Sequence, residues 1–368
     1  MIDEKLLKNE ERAMLSLRSL YQQYGYMPFK MSKFEEYDLY VRNKEFLVSD
    51  SVITFNDTDG RLLALKPDVT LSIIKNGVDE PGAKQKLYYN ENVYRVSGST
   101  HLFKEIMQSG AECIGDIDFL DLYELVYLAA KSLSMISENF ILDISHMGVL
   151  SAVLENASSD EAFKKEALRL IADKNRHDTY KLCEEYGVSA EATEMLILLI
   201  DSCGRPVEVL PKLSCIKALD NAFASYCELE SICALLSKTE FSNKINLDFS
   251  VVNNMNYYNG IVFKGFLNGI CEGVLSGGEY DVLMRRMGRK SKAVGFAIYL
   301  DLLEGLGNAT NDADVDVLLI YGEKNTAESV IEAKRNLVAD GKSVMTAKNV
   351  PNGLRYKELF DMRKGESK

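Results

Sequence analysis

The sequence predicts an α+β protein: an antiparallel sheet flanked by helices, with a helical insertion and a partial C-terminal α/β unit. Three observations predict this architecture. Short β-rich runs separated by turn residues occupy much of residues 52–144 and return near residue 245. Between them, residues 147–240 follow an almost wholly helical pattern. After a polar junction, a strand, a helix and a strand follow one another in the tail, which is the start of a β-α-β unit.

The first part of the chain predicts a helix followed by a hairpin. Apolar residues recur at helical spacing over Leu6–Tyr24. A hairpin is predicted for residues 52–65, because two apolar runs flank a turn-rich stretch. Pro67 is expected to open a short helix that ends before Gly77. The next predicted elements are strands at 87–96 and 106–114, a helix at 118–138 and a strand at 141–144.

The second part of the chain predicts the insertion, further strands and the tail. The insertion is expected to break near Gly187 and at Gly204–Pro206. The elements predicted after it are strands at 245–252, 257–266 and 270–275, a helix at 293–306, and in the tail a strand at 315–321, a helix at 327–337 and a strand at 343–346. We therefore predict a domain at 1–310, with its insertion at about 147–240, and a truncated unit at 314–368.

Composition limits the classes of function. With 46% hydrophobic and 27% charged residues, the chain resembles an ordinary soluble protein, and no apolar run reaches the 18 residues of a membrane span. A charged start and seven scattered cysteines without a C-x-x-C pair predict a cytoplasmic protein. The three histidines lie far apart, so we expect neither a metal nor a cofactor. A net charge of −12 argues against a nucleic-acid partner.

Six segments point to a specific family. They are LKPDVT at 65–70, VYR at 93–95, QSGAE at 108–112, NYYNGIVF at 256–263, GGEYD at 277–281 and AVGFAI at 293–298. In order and spacing they resemble six segments of class II histidyl-tRNA synthetases: L-R-P-E-x-T, the F-R of motif 2, Q-x-G-x-E, L-D-Y-Y-x-x-T-V-F, G-G-R-Y-D and the opening of motif 3. The resemblance covers most of residues 20–305, and residues 314–368 resemble roughly the first half of the family's anticodon-binding domain.

The resemblance implies a class II aminoacyl-tRNA synthetase-like sheet that has lost catalytic cations. Amino-acid activation develops negative charge on ATP, and each fixed cation there is commonly worth about a hundred- to a thousand-fold in rate. Of three arginines that the family uses, Arg95 remains, whereas Asn253 and Leu302 occupy the other two positions. Glu279 stands where the family has the arginine of G-G-R-Y-D. We therefore expect synthetase activity to be lost, by a factor on the order of 10⁴ to 10⁶.

The family's histidine-binding positions are largely kept. The resemblance assigns this role to six residues, Asp68, Thr70, Gln108, Glu112, Tyr257 and Tyr258, and it makes Arg95 the remnant of an anion pocket. An ammonium group favours carboxylates and amide oxygens, and an imidazole favours polar aromatics at its edges. Asp68 is shorter than the family's glutamate. The resemblance thus implies L-histidine as the ligand.

The same residues also have purely structural interpretations. Arg95 would form a salt bridge with a neighbouring acid. Glu112 lies in an apolar strand and needs a partner, so it would belong to a buried ion pair. Tyr257 and Tyr258, on a predicted strand, would point to opposite faces, and Gly277-Gly278 would be a turn or bulge.

Lost catalysis beside a kept amino-acid pocket implies a histidine sensor. The resemblance to the family's regulatory paralogues implies a non-catalytic subunit required by ATP phosphoribosyltransferase for activity and for feedback inhibition in histidine biosynthesis. The implied partners are a short-form catalytic chain and a second copy of this chain, which would form a homodimer core around Tyr21–Phe34 inside a hetero-oligomer. The alternatives are a divergent histidyl-tRNA synthetase and a non-catalytic tRNA-binding protein. The sequence leaves open whether histidine binds this pocket or a subunit interface, and which surface meets the catalytic chain.

Overall fold

The computed structural model describes residues 7–43, 47, 52–97, 100–219, 221–251, 257–306 and 313–364. The chain forms two compact units, Met1–Leu306 and Gly307–Lys368. Asn253, the start of the 256–263 segment and most of the junction at 307–314 lie outside the described residues. Within the described ranges, no helix combines the length and apolar composition needed to cross a bilayer.

The strands are numbered in chain order. They are β1 (Met27–Pro28), β2 (Phe34–Glu36), β3 (Thr54–Asn56), β4 (Leu62–Leu65), β5 (Lys84–Val96), β6 (Phe103–Gly115), β7 (Phe140–His146), β8 (Cys203–Gly204), β9 (Ile245–Asp248), β10 (Ile261–Leu267), β11 (Leu275–Glu279), β12 (Lys292–Tyr299), β13 (Val315–Ile320), β14 (Val344–Ala347) and β15 (Tyr356–Asp361).

The α-helices are numbered in the same way. They are α1 (Asn9–Gln23), α2 (Tyr37–Arg42), α3 (Thr70–Asn76), α4 (Phe119–Ile136), α5 (Met147–Ala157), α6 (Glu161–Ala172), α7 (Arg176–Glu185), α8 (Ala190–Asp201), α9 (Pro206–Val209), α10 (Phe223–Leu236), α11 (Asp281–Arg286) and α12 (Ala327–Ala339). Short 3₁₀ turns cover Lys212–Ala218, Phe249–Val251, Leu300–Gly305 and Met362–Lys364.

Nine strands form the main sheet of the first unit, in the order β1-β5-β6-β12-β11-β10-β7-β9-β8. Neighbours are antiparallel except for β1–β5 and β7–β9, which are parallel. The predicted hairpin is confirmed: β3 and β4 pair, and β2 joins them in a small antiparallel sheet. The helical insertion, α5 to α10, lies between β7 and β9 in sequence. It contains β8, which pairs with β9 at the edge of the main sheet.

The predicted helix at 293–306 is wrong. Lys292–Tyr299 is instead the central strand β12, which pairs with β6 and β11, and only a 3₁₀ turn follows it. A strand that is buried on both faces is a continuous apolar run, and periodicity cannot separate such a run from a buried helix. Non-local pairing on both edges therefore decided the structure of this segment.

The strand boundaries around β10 and β11 also differ from the prediction. Residues 270–274 form a turn rather than a strand, and β11 begins at Leu275. Gly277-Gly278 therefore lies inside a strand and is not a turn. β10 begins at Ile261, so Tyr257 and Tyr258 precede it. The predicted strand at 245–252 ends at Asp248 and continues as a 3₁₀ turn.

Two groups of buried side chains surround the main sheet. The larger one joins the sheet to α1, α4 and the insertion, and Leu125, Val126 and Leu128 of α4 are fully buried in it. The smaller one contains Leu71 and Ile73 of α3 together with tyrosines from β5 and from the end of β11. The short helix α3 is therefore anchored by its apolar side chains, which holds its N-terminus against the sheet.

The second unit contains a three-stranded parallel sheet in the order β14-β13-β15. The β-α-β start at β13, α12 and β14 is confirmed. The strand β15 was not predicted, because the polar residues in Tyr356–Asp361 conceal its extended pattern. Val317, Leu318, Leu319 and Ile320 of the central strand are fully buried.

Candidate functional site

A cavity of about 660 Å³ opens on one face of the main sheet, and its volume lies within the range of roughly 300–1,000 Å³ that is usual for ligand sites. All seven residues singled out from the sequence line it: Asp68, Thr70, Arg95, Gln108, Glu112, Tyr257 and Tyr258. They come from β5, β6, the start of α3 and the segment before β10. That six of them bind histidine stays a prediction.

The sheet register explains the shape of the cavity floor. Tyr89, Gly110, Ala297, Ser276 and Lys264 lie opposite one another on β5, β6, β12, β11 and β10. Side chains in one such row share a face of the sheet, and strands are about 4.8 Å apart. The Tyr89 side chain lies across Gly110, and because Ala297 and Ser276 are small, the floor is low between the Tyr89 ring and Lys264.

Glycines on neighbouring strands make room for larger side chains. A Cβ on Gly110 would lie 2.4 Å from the Tyr89 hydroxyl, and a Cβ on Gly278 would lie 2.8 Å from the Tyr258 ring. A Cβ on Gly295 would lie 1.5 Å from Oε2 of Glu112. The Glu112 carboxylate therefore lies directly over the backbone of β12. This position is possible only because Gly295 lacks a side chain.

Glu112 is the most buried acid of the site, with 2% of its surface exposed. The Tyr280 hydroxyl donates a hydrogen bond of 2.6 Å to its Oε2, and Thr70 Oγ1 lies 3.5 Å from its Oε1. Burial raises the pKa of Glu112 to about 8, against the opposing effect of the Tyr280 hydrogen bond, and the charge of Asp68 raises it further. Among the described residues no cation pairs with Glu112, so the predicted ion pair is replaced by hydroxyl groups.

The turn before α3 brings Asp68 and Arg95 together. Asp68 Oδ1 accepts a hydrogen bond of 3.0 Å from the backbone N–H of Leu71, and Arg95 Nε donates one of 3.0 Å to the carbonyl of Pro67. Burial raises the pKa of Asp68, while the Leu71 N–H and the Arg95 charge lower it. Arg95 therefore fastens the turn to β5 and faces an acid inside the cavity.

The two adjacent tyrosines do not alternate between faces. Tyr257 and Tyr258 both line the cavity, and their ring centroids lie 4.6 Å apart in an edge-to-face arrangement. The prediction of opposite faces was wrong because it assumed a strand, whereas the strand begins only at Ile261. Both rings are thus available to one ligand.

The altered catalytic positions lie away from the cavity or outside the described residues. Leu302 packs against the larger core, and Asn253 lies outside the described residues. Glu279 is not among the lining residues: its Oε1 accepts a hydrogen bond of 2.8 Å from the Ile261 N–H. Burial and the nearby Glu228 raise its pKa to about 7. Two cationic side chains, Arg95 and Lys264, are found among the lining residues that the structure describes.

Sequence reasoning missed several lining residues, notably Tyr89, Lys264, Ser276, Tyr280 and Tyr299. One signal was available, since a lysine interrupts the apolar run of β10. Tyr280 lies within the GGEYD segment, whereas Tyr89 and Tyr299 carried no signal of their own, because a strand tyrosine is more often part of the core. Within the described ranges, no group of three or more His, Cys, Asp or Glu side chains converges to hold a metal ion.

Known proteins resemble this chain throughout the first unit and in its overall fold. The family model described as histidyl-tRNA synthetase matches residues 2–303. An ATP phosphoribosyltransferase regulatory subunit from Clostridium kluyveri is 29% identical over 328 residues, which is 86% of this chain and 84% of that protein.

Two solved structures agree in fold. An ATP phosphoribosyltransferase regulatory subunit/histidyl-tRNA synthetase from Bacillus halodurans has a TM-score of 0.74 at 23% identity, with 98% of this chain and 96% of that chain covered. A chain of the ATP phosphoribosyl transferase (HisG:HisZ) complex from Thermotoga maritima has a TM-score of 0.63 at 22% identity, with 79% and 97% covered. The class II synthetase-like α+β fold and the resemblance carried by the six segments are confirmed. The chain belongs to the histidyl-tRNA synthetase family.

Proposed function

We propose that this chain is a non-catalytic regulatory subunit of ATP phosphoribosyltransferase, the first enzyme of histidine biosynthesis, and that it transmits feedback inhibition by L-histidine. One observation carries the proposal: the cavity keeps Thr70, Gln108 and Glu112, with Asp68 in place of the family's glutamate, whereas Leu302 and Asn253 stand where the family has catalytic arginines. The name of the Clostridium kluyveri relative supports the same function.

The charges of the cavity suit a cationic amino acid. Glu112 is a buried acid and Asp68 a half-buried one, and both have raised pKa values, so each is stabilised in its ionised form by a bound cation. An ammonium group or an imidazolium supplies such a charge. The Gln108 side chain is 3% exposed and adds an amide to the same wall. Free histidine therefore combines the groups that these residues bind best.

The loss of synthetase activity is the second part of the proposal. Adenylate formation needs fixed cations around the α-phosphate, each worth about a hundred- to a thousand-fold in rate. Of the family's three catalytic arginines, Arg95 is the one that is kept, and its Nε donates a hydrogen bond to the Pro67 carbonyl. ATP–pyrophosphate exchange with histidine tests this part, and we expect none. Clear exchange would instead support the divergent synthetase, the alternative that the retained Arg95 favours.

The proposed partners are a short-form catalytic chain and a second copy of this chain. The Thermotoga maritima structure is described as a HisG:HisZ complex, which supports the first partner. For the second, the small sheet β2-β4-β3 presents Phe34 and Phe55 on one face, 48% and 36% exposed, with ring centroids 5.2 Å apart. We propose this face as part of a homodimer core within a hetero-oligomer in the cytoplasm. We further propose residues 314–368 as a partial anticodon-binding-like unit.

Co-expression tests the proposed function directly. The chain is produced with and without a short-form catalytic chain, and phosphoribosyl transfer is measured with and without L-histidine. We expect activity only in the complex and inhibition by histidine. The variant Gln108→Ala should keep the activity of the complex but need at least tenfold more histidine for inhibition, because it removes a polar contact within the cavity. Failure to form any complex, or a fully active catalytic chain on its own, would refute the proposal.

A further inference from the structure

Lys264 is a cation in the cavity wall and has no part in the proposed function. It lies on β10 at the opposite end of the floor row from Tyr89. Its aliphatic stem passes close to Gly273, where a Cβ would lie 2.2 Å from its Cε. Its Nζ lies 5.5 Å from the centroid of the Phe266 ring, which favours a cation. The ammonium group is therefore held by packing at one end of the cavity.

Among the described residues Lys264 forms no salt bridge, although its charge acts on Asp143. The ion pairs of this part of the chain do not include it, and Glu272, which lines the same end of the cavity, makes none with it. Its partners in strand register are Ser276 and Asp143. Asp143 has a pKa raised to about 6 by burial and by Asp248, although the charge of Lys264 lowers it.

The other cation of the cavity is differently placed. Arg95 lies on β5, whose axis is four strands or roughly 19 Å from that of β10, and its guanidinium interacts with Tyr299 of β12. It donates to the Pro67 carbonyl, and its charge lowers the pKa of Asp68. The acids and Arg95 thus occupy one part of the cavity, and Lys264 the other. The Glu112 carboxylate lies over β12, two strands or roughly 10 Å from β10.

We propose that Lys264 forms a carboxylate-binding subsite, so that a ligand with a cationic end at Asp68 and Glu112 places its α-carboxylate at β10. This inference rests on the proposed function and adds a source of specificity to it. An ammonium bound to a carboxylate makes a charge-assisted hydrogen bond. A ligand without the carboxylate lacks this hydrogen bond to the Lys264 ammonium, and binds more weakly for that reason.

The test compares L-histidine with L-histidinamide, in which a neutral amide replaces the carboxylate. Affinities for the full chain are measured by isothermal titration calorimetry at pH 7.5. The wild-type chain should bind L-histidine about ten- to a hundred-fold more tightly than the amide. Lys264→Met should remove this preference, whereas Lys264→Arg should retain it. Lys264→Glu should reverse it in favour of the amide.

Lys244→Met is the matched control. Lys244 is also half-buried, and its Nζ lies 5.8 Å from the centroid of a phenylalanine ring, but it does not line the cavity. The control should keep the preference for L-histidine. Equal histidine affinity in Lys264→Met and wild type would overturn the subsite and leave the proposed function intact. If the wild-type chain binds neither ligand while its complex still responds to histidine, the subsite is also wrong, and histidine acts at the subunit interface.

Discussion

The Tyr280 hydroxyl donates a hydrogen bond of 2.6 Å to the Glu112 carboxylate, although 168 residues separate the two in sequence. Glu112 lies on β6, and Tyr280 follows β11, two strands away. Tyr280 is 2% exposed, so the contact is closed to solvent. A hydroxyl stabilises a buried carboxylate less than a cation does, and the pKa of Glu112 accordingly remains at about 8. The unliganded site therefore holds a proton near neutral pH.

The stability of the unliganded protein should reflect that proton. The pKa of Glu112 is about 8 in the folded chain and 4.5 in the ordinary case, so the folded state binds more protons between these values. With respect to this group, the free energy of unfolding is therefore highest below about pH 4.5, and it falls as the pH rises toward 8. Glu112→Gln should stabilise the protein at pH 8, by on the order of a few kcal/mol, and change little at pH 5.

Urea denaturation at pH 5, 6.5 and 8 measures this effect. The raised pKa of Asp68 gives a slope of the same sign, so the variant should flatten the profile without abolishing its pH dependence. Glu304→Gln, at an exposed carboxyl, is the control, and its free energy of unfolding should change with pH as that of wild type does. A parallel profile for Glu112→Gln as well would mean that Glu112 is already ionised in the folded chain.

Gly295→Ala should damage the site through a single methyl group. The new Cβ would lie 1.5 Å from Oε2 of Glu112 and 3.0 Å from the Ala111 carbonyl, so the carboxylate has to move. We expect a destabilisation of about 1–3 kcal/mol and at least a tenfold loss of histidine affinity. Gly305→Ala has no atom within 4 Å of its new Cβ and should change stability by less than about 0.5 kcal/mol. Titration calorimetry measures the histidine affinity of each variant, and thermal unfolding measures its stability. Equal histidine affinity in Gly295→Ala and wild type would contradict the assigned role of Glu112.

The contribution of Lys66 to stability should depend strongly on its ion-pair partner, Glu91. Its side chain is fully buried, and Nζ lies 2.5 Å from Oε2 of Glu91, which is 16% exposed. Lys66→Met alone should destabilise the protein by about 3–5 kcal/mol, because it leaves a carboxylate without its ion pair. Adding Glu91→Gln should recover much of the loss. The exposed pair Arg42–Asp38, whose side chains are 78% and 73% exposed, is the control cycle and should show a coupling of only about 0.2–1 kcal/mol. Additive effects at Lys66 and Glu91 would contradict a buried ion pair.

The face formed by Phe34 and Phe55 should control self-association. Phe55→Glu places a charge on this face of the small sheet, which the proposed homodimer would bury. Light scattering after size exclusion should show a dimer for wild type and a monomer for the variant. Phe223→Glu, at a ring that is 60% exposed on α10, should leave the dimer unchanged. A dimeric Phe55→Glu chain would exclude this face from the interface.

Local patterns in the sequence predicted most elements of the fold. The amphipathic α4 and the hairpin at β3 and β4 were predictable because period and turn residues act over a few positions. The central strand β12 was mistaken for a helix, because its apolar run is equally compatible with both. Only pairing with β6 and β11, both distant in sequence, makes it a strand.

By itself the sequence determined which chemical groups this family member kept and which it lost, since residue identity at Glu112, Arg95 or Leu302 does not depend on coordinates. Tertiary structure alone decided which groups share the cavity. In the folded chain Tyr257, Tyr258 and Lys264 line the cavity, whereas Glu279 does not. The physical reason is that strand order and register set these neighbours, and both are determined by contacts between segments far apart in the chain.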